Sequence, residues 1–316
     1  MTDIAHRVVD TNGIKMHYVE AGEGPLVVLC HGFPESWYSW RHQILALAAS
    51  GYRAVAPDQR GYGRTDAPDD IAAYSLFHLV GDIVGLVHAL GEETAVIVGH
   101  DWGAPVAWNA AMWRPDIFRG VVAMSVPLTD RPPYPPTAGM KARFGDNFFY
   151  ILHFQTPGVA EHELQKDVKR SLRMLLYSAS GNNTTRGGGS LPKSAGFLDS
   201  MTDPAELPDW LSEGDLDYFT KEFQRAGFRG GLNWYRNLDH NWVLSAPFQG
   251  MKVTQPALYI IGERDVTRGF LSGDQLRDTV PNLTEVVTFP GIGHWTQQEN
   301  PQGTNEALVK FLDSLD

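Results

Sequence analysis

Asp101 lies at the centre of the pentapeptide Gly99-His-Asp-Trp-Gly103, between a short β-branched run and an alanine- and tryptophan-rich segment. Glycines two residues to either side leave room for a sharp strand-to-helix turn, which projects the middle side chain from the end of a strand. The following helix would start directly beneath that side chain, where unpaired N–H groups favour negative charge. An aspartate serving as N-cap of the same helix would present the same five residues. As a nucleophile, it implies a particular chemistry. A serine alcohol must lose a proton as it attacks and suits carbonyl substrates. A carboxylate, with a reference pKa of ~3.9, is already ionised at neutral pH and can attack saturated carbon directly. The product is an ester, whose carbonyl water can then attack. Alkyl transfer is expected, rather than cleavage of peptides or fatty esters.

Partners for that chemistry occur at three other places. The turn His31-Gly-Phe-Pro34 could aim the Phe33 N–H at the same point as the Trp102 N–H, an oxyanion-binding pair. A plain strand-to-helix turn would fit these four residues too. Asp265 follows the run Ile260-Ile-Gly-Glu-Arg, and His294 lies in Gly291-Ile-Gly-His-Trp-Thr. Singly, Asp265 could be an exposed turn residue and His294 a surface loop residue. Together, in the order nucleophile, acid, histidine and each after a strand, they favour catalysis. Glu263 is the second choice of acid, and His100 is expected to pack beside the turn.

The elements that must position these residues are legible from periodicity. Leu26–Cys30 and residues 52–57, 95–99 and 118–126 are short, rich in β-branched residues and bounded by Gly or Pro, hence strands. Residues 40–49 and 76–90 carry apolar residues at helical spacing. This alternation predicts a parallel sheet covered by helices on both faces. It stops at the proline cluster Arg131-Pro-Pro-Tyr-Pro-Pro136. An aromatic-rich, mostly helical stretch follows, including a low-complexity run at 181–190 that suits a connector. Strand patterns resume at Ala257–Gly262 and 284–289, and a helix closes the chain at about 301–315. One sheet domain with a helical insertion is the result.

Composition narrows the functions. The 316 residues are 43% hydrophobic and 20% charged, an ordinary globular balance. A formal charge of -11 without a Lys/Arg-rich run speaks against nucleic-acid binding. No stretch approaches the ~18 apolar residues of a membrane span, and Met1-Thr-Asp-Ile-Ala-His-Arg lacks a secretory pattern, so a cytoplasmic location is expected. The single cysteine, Cys30, cannot form an intramolecular disulfide and reads as a core filler. The eleven histidines include no HExxH or Cys/His cluster, so neither metal nor cofactor is expected.

Several segments then carry a resemblance. His31-Gly-Phe-Pro-Glu-Ser-Trp-Tyr-Ser-Trp40, Asp58-Gln-Arg-Gly-Tyr-Gly63, Gly99-His-Asp-Trp-Gly103, Phe149-Tyr-Ile-Leu-His-Phe-Gln-Thr-Pro-Gly158, Asn233-Trp-Tyr-Arg-Asn237 and Gly293-His-Trp295 resemble the soluble epoxide hydrolases of the α/β-hydrolase superfamily, over nearly the whole chain. The resemblance implies an α/β-hydrolase fold, with a mostly parallel eight-stranded sheet and a helical cap inserted after strand 6. Core residues would be 1–129 and 248–316, and cap residues 130–247. It implies conversion of small-molecule epoxides to vicinal diols through an Asp101 ester, hydrolysed by water that His294 and Asp265 activate. Tyr150 and Tyr235 would be the pair that polarises the epoxide oxygen, with Phe33 and Trp102 as oxyanion donors. Phe33, Trp102, Trp295 and Phe154 would line the substrate pocket, and a homodimer is an open expectation. Two rivals stand beside this reading. A haloalkane dehalogenase shares the Asp nucleophile and the following Trp, and needs a second halide donor that Trp210, Trp234 or Trp242 could supply. A non-catalytic ligand receptor on the same fold would have no reason to keep acid, histidine and both tyrosines.

Overall fold

The computed structural model describes residues 3–184, 191–269 and 273–315. The run expected as a connector at 181–190 therefore falls partly, at 185–190, outside the described residues. Eight strands, β1 (Ala5–Thr11), β2 (Ile14–Ala21), β3 (Leu26–Cys30), β4 (Arg53–Pro57), β5 (Ala95–His100), β6 (Phe118–Met124), β7 (Ala257–Gly262) and β8 (Leu283–Phe289), form one sheet in the order β1-β2-β4-β3-β5-β6-β7-β8. Pairs from β4 to β8 are parallel, while β1 and β2 enter antiparallel. Periodicity alone pointed to no strand before residue 26. The missed hairpin has a signal of its own: Asn12-Gly13 joins Thr11 to Ile14 with φ values of 43° and 78°, the backbone of a two-residue hairpin turn.

Alternate residues of the central strands feed two separate cores. Val28 and Cys30 of β3, Ile97 of β5 and Val121 of β6 pack on one face; Val27, Leu29, Val96, Val98 and Val122 pack on the other. The first face is covered by α2 (Leu76–Ala89) and α3 (Gly103–Trp113), through residues such as Ile83, Leu86 and Trp108. The second is covered by α1 (Arg41–Ala49) and by the closing helix, Pro301–Asp313, through Ile44, Leu47, Leu308 and Phe311. Strands covered on both faces can be continuously apolar, which is why they were legible. Cys30 is fully buried, and burial pushes its thiol pKa up, as fits an inert core residue.

The chain leaves β3 for β4 on one side and returns to β5 on the other. The carboxyl ends of β3 and β5 are therefore neighbours, with Cys30 paired to Gly99, and a crevice opens where strand order reverses. Between β6 and β7 the chain makes the helical cap: α4 (Pro136–Phe144), α5 (Tyr150–Phe154), α6 (Val159–Leu164), α7 (Val168–Ala179), α8 (Glu213–Ala226), α9 (Arg229–Arg236) and α10 (Leu238–Leu244). Helix α9 meets the core backbone to backbone. A Cβ on Gly230 would lie 2.2 Å from the Gly61 carbonyl oxygen, so only glycine allows the approach. Beside it the buried Trp234 indole donates to the Arg60 carbonyl at 3.1 Å. No helix among the described residues is long and apolar enough to cross a membrane.

Candidate active site

Each parallel strand ends one or a few residues short of a polar side chain. Register pairs His100 with Met124, Met124 with Ile260 and Gly262 with Phe289, so Asp101, Ser125, Asp265 and His294 all follow carboxyl ends of one sheet edge. The turn at Asp101 is as tight as its glycines suggest. A Cβ at Gly99 would lie 2.0 Å from the Gly103 carbonyl oxygen, and one at Gly103 would lie 2.0 Å from that of Cys30. Asp101 itself holds a left-handed φ of 50°, a strained backbone for a non-glycine residue.

The predicted triad is assembled. Phe33 N–H donates to Asp101 Oδ1 at 2.8 Å, while Asp101 Oδ2 stands 3.4 Å from His294 Nε2. The other ring nitrogen, Nδ1, lies 3.0 Å from Asp265 Oδ1. Side-chain exposure falls from 14% at Asp101 to 6% at His294 and 0% at Asp265, so only the first acid is open to a ligand. Glu263 instead accepts from the Gly291 N–H at 2.9 Å near the surface, and is not the acid of this cluster. His100 packs beside the turn as expected, pinned between Glu35 Oε2 at 2.8 Å and the His294 carbonyl at 2.7 Å.

Electrostatics follow from this packing. Burial favours a protonated Asp101, but the His294 hydrogen bond and charge and the Phe33 N–H overcome it and hold the pKa below its ordinary value. Burial opposes ionisation of Asp265 as well. His294, Ser125 and the Thr267 N–H more than offset it, so the acid stays ionised. For His294 burial favours the neutral ring, yet two flanking carboxylates raise its pKa well above the usual value. The resting site is an imidazolium between two carboxylates.

The cap brings both tyrosines to the same cavity as Asp101, a space of about 460 Å³. Their ring centroids are 6.0 Å apart, and Tyr235 meets the Trp102 ring edge-on at 5.1 Å. The two helices that carry them are stitched together by their flanking residues. Gln155 Nε2 donates to the Tyr235 carbonyl at 3.0 Å, and Arg236 Nε donates to that of Phe154 at 2.9 Å. Arg236 is anchored in turn on Glu161 at 2.7 Å. Burial, and then the charge of Asp101, raise both tyrosine pKa values, so each is a phenol with a proton to give. Of the expected pocket residues, Trp102 borders this cavity. Phe33, Phe154 and Trp295 do not; they are buried behind it, Phe33 and Phe154 packed edge-on against each other and against Tyr235. Large aromatics next to catalytic residues can as well be backing as wall, and sequence does not tell which. The cavity wall is instead largely apolar, with Met112, Trp113, Met140 and Phe248.

Three residues of the cluster escaped the sequence reading. Ser125 and Thr267 hydrogen-bond Asp265. Glu35, fully buried, accepts from Gly32 N–H, His100, Gln297 and Gln298, tying the Phe33 turn to the His294 loop. Only the position of Ser125, at the end of a strand in the same sheet, could have drawn attention to it.

A strand-end carboxylate with an acid and a histidine on this sheet defines a protein of the α/β-hydrolase fold, and the model of that fold family matches residues 25–301. Among curated proteins, the chain is 46% identical to "Epoxide hydrolase A" of Mycobacterium tuberculosis, covering 98% of each. It is 41% identical to "Epoxide hydrolase 3" of Siraitia grosvenorii, covering 100% of each. Among solved structures, Epoxide Hydrolase A from Mycobacterium thermoresistibile superposes with a TM-score of 0.96 at 46% identity, over 99% of each chain. The chain belongs to the epoxide hydrolase family.

Proposed function

We propose that this enzyme opens epoxides with water through a covalent ester on Asp101. Oδ1 is held tightly by the Phe33 N–H at 2.8 Å and Oδ2 only loosely by His294 Nε2 at 3.4 Å, so Oδ2 is the attacking oxygen. It displaces the epoxide oxygen from carbon, and the leaving alkoxide takes a proton from Tyr150 or Tyr235, each of which regains one from solvent. Esterification removes the charge of Asp101, one of two that hold the proton on His294. The ring then releases that proton to solvent, balancing the one the tyrosine regains, and becomes a base. Nε2 takes a proton from water, which attacks the ester carbonyl, and the N–H groups of Phe33 and Trp102 hold the oxyanion. Collapse of the intermediate frees the diol and returns the carboxylate. The wall of the cavity suits epoxides with apolar substituents. The chain divides, in this reading, into core residues 1–129 and 248–316 and cap residues 130–247.

The observation that carries this reading is the meeting of Asp101, already paired to His294, with two protonated phenols around one cavity. The dehalogenase alternative needs a free second N–H. The cap indoles of Trp210, Trp234 and Trp242 donate instead to Ser180, to the Arg60 carbonyl and to the Pro132 carbonyl. A single turnover in heavy-oxygen water tests the scheme. Label should enter the Asp101 side chain and be absent from the first diol formed; label in the diol alone would mean direct attack by water and end the covalent reading.

A further inference from the structure

Ser125 follows β6 directly and touches both members of the His294–Asp265 pair. Its hydroxyl bonds Asp265 Oδ2, and its Oγ lies 2.7 Å from His294 Nδ1. The hydroxyl has one proton to place. Asp265 is ionised and can only accept, so that proton goes to Asp265. A lone pair of Oγ then remains for the Nδ1–H of His294, shared with Asp265 Oδ1 at 3.0 Å. The three side chains close a ring of hydrogen bonds.

The backbone is built to present this hydroxyl. Ser125 has φ of 74°, a region where serine is strained and glycine is not. It is held there by its own N–H on the Ile260 carbonyl at 2.9 Å, and its carbonyl accepts from Tyr259 Oη at 2.8 Å and Thr267 Oγ1 at 2.7 Å. Thr267 also braces Asp265: its N–H donates to Oδ1 at 2.9 Å, and its hydroxyl shares one proton between that oxygen, also at 2.9 Å, and the Ser125 carbonyl.

We propose that Ser125 is a positioning residue for the hydrolytic half-reaction. It keeps the His294 proton on Nδ1 and the ring turned so that Nε2 is the base facing Asp101. Attack on the epoxide uses Asp101 and the tyrosines, so ring opening does not depend on Ser125. Hydrolysis of the ester does. The proposal rests on reading His294 as the base.

The test separates the two steps by rapid quench, with mass spectrometry of the Asp101 peptide, using styrene oxide or 1,2-epoxyhexane, whichever the wild type converts. In Ser125→Ala and Ser125→Gly, ester formation should stay within about twofold of wild type, which also reports an intact fold. Ester hydrolysis should slow about tenfold or more, so that the ester accumulates. Ser125→Asn tolerates the same φ and carries both a donor and an acceptor, so it should recover most of the hydrolytic rate. Wild-type hydrolysis in both the Ala and Gly variants would overturn the proposal. So would an equal loss in both steps that Asn does not rescue, since that is a structural effect. Failure of the wild type itself to form an ester with either epoxide would instead sink the covalent reading, a distinguishable result.

Discussion

Asp265 and Tyr235 are both buried in the same site, and different interactions hold them. Asp265 is surrounded by hydrogen-bond donors: the Ser125 hydroxyl, the N–H and hydroxyl of Thr267, and His294. Tyr235 is surrounded by rings: Phe33 at 5.6 Å, Trp102 at 5.1 Å, Phe154 at 5.0 Å and Tyr150 at 6.0 Å between centroids. An ionised carboxylate out of water is costly without donors, so the sheet edge must supply them with defined geometry. A neutral phenol requires less: the Tyr235 hydroxyl has the Trp102 indole as hydrogen-bond partner, and ring contacts hold the rest, which lets the cap close an apolar cavity over the charged edge. Apart from the reacting groups themselves, the support of the first region should therefore respond to loss of single hydrogen-bonding atoms, and that of the second to loss of volume.

The largest effect should come from His294→Gln. Turnover should fall about 10²–10⁴-fold while the ester still forms and persists on Asp101, as mass spectrometry would reveal. A similar range, about 10²–10⁴-fold, is expected for the step before it when Tyr150→Phe and Tyr235→Phe are combined; either single change should cost less, because the other phenol remains. Stopped-flow measurement of ester formation checks this, and full activity of the double variant would remove the tyrosines from the chemistry.

Volume and hydrogen bonding should then come apart. Phe154→Ala leaves a cavity behind Tyr150 and Tyr235 and should cost about 3–5 kcal/mol of stability, with ester formation impaired more than ester hydrolysis. Thr267→Val keeps volume but removes a donor to Asp265. It should cost only about 1–2 kcal/mol while slowing ester hydrolysis. If both variants slowed the same step, the contrast between the regions would fail.

Stability against pH should carry the signature of the charged edge. Asp101 and Asp265 have depressed pKa values in the fold, so their contribution is complete above about 3.9 and disappears as pH falls through the folded values. His294 is raised, so its contribution is complete below about 6.5 and is lost as pH climbs through its folded value. Denaturant titrations of His294→Gln should lack that alkaline decline. The smallest effect belongs to Arg229→Ala, which breaks an exposed cap-to-core ion pair with Asp69. It should change stability by under about 1 kcal/mol, since solvent screens both partners.

Much of the charged edge could be read directly from the chain. Gly99 and Gly103 bracket Asp101 because backbone atoms touch there, and a local steric requirement leaves a local trace. Asp265 was visible because it follows β7, a strand buried at every residue and so a recognisable apolar run, whereas β8, the half-exposed edge strand before His294, was marked by its β-branched residues Val286, Val287 and Thr288. The N-terminal hairpin lacked such a run. β1 has mostly exposed or half-buried residues, and only Asn12-Gly13 marked it.

The sequence by itself thus determined the order of strand ends, the tight turn that lifts Asp101 and the residue types able to form and break an ester. Tertiary structure alone decided which side chains meet across long separations. Ser125 against Asp265, Tyr150 against Tyr235, and Phe154 as backing rather than wall depend on sheet register and on how the cap docks. The physical reason is range. Sterics and periodicity act between near neighbours and are written residue by residue, whereas a contact between distant residues exists only after the whole core has packed.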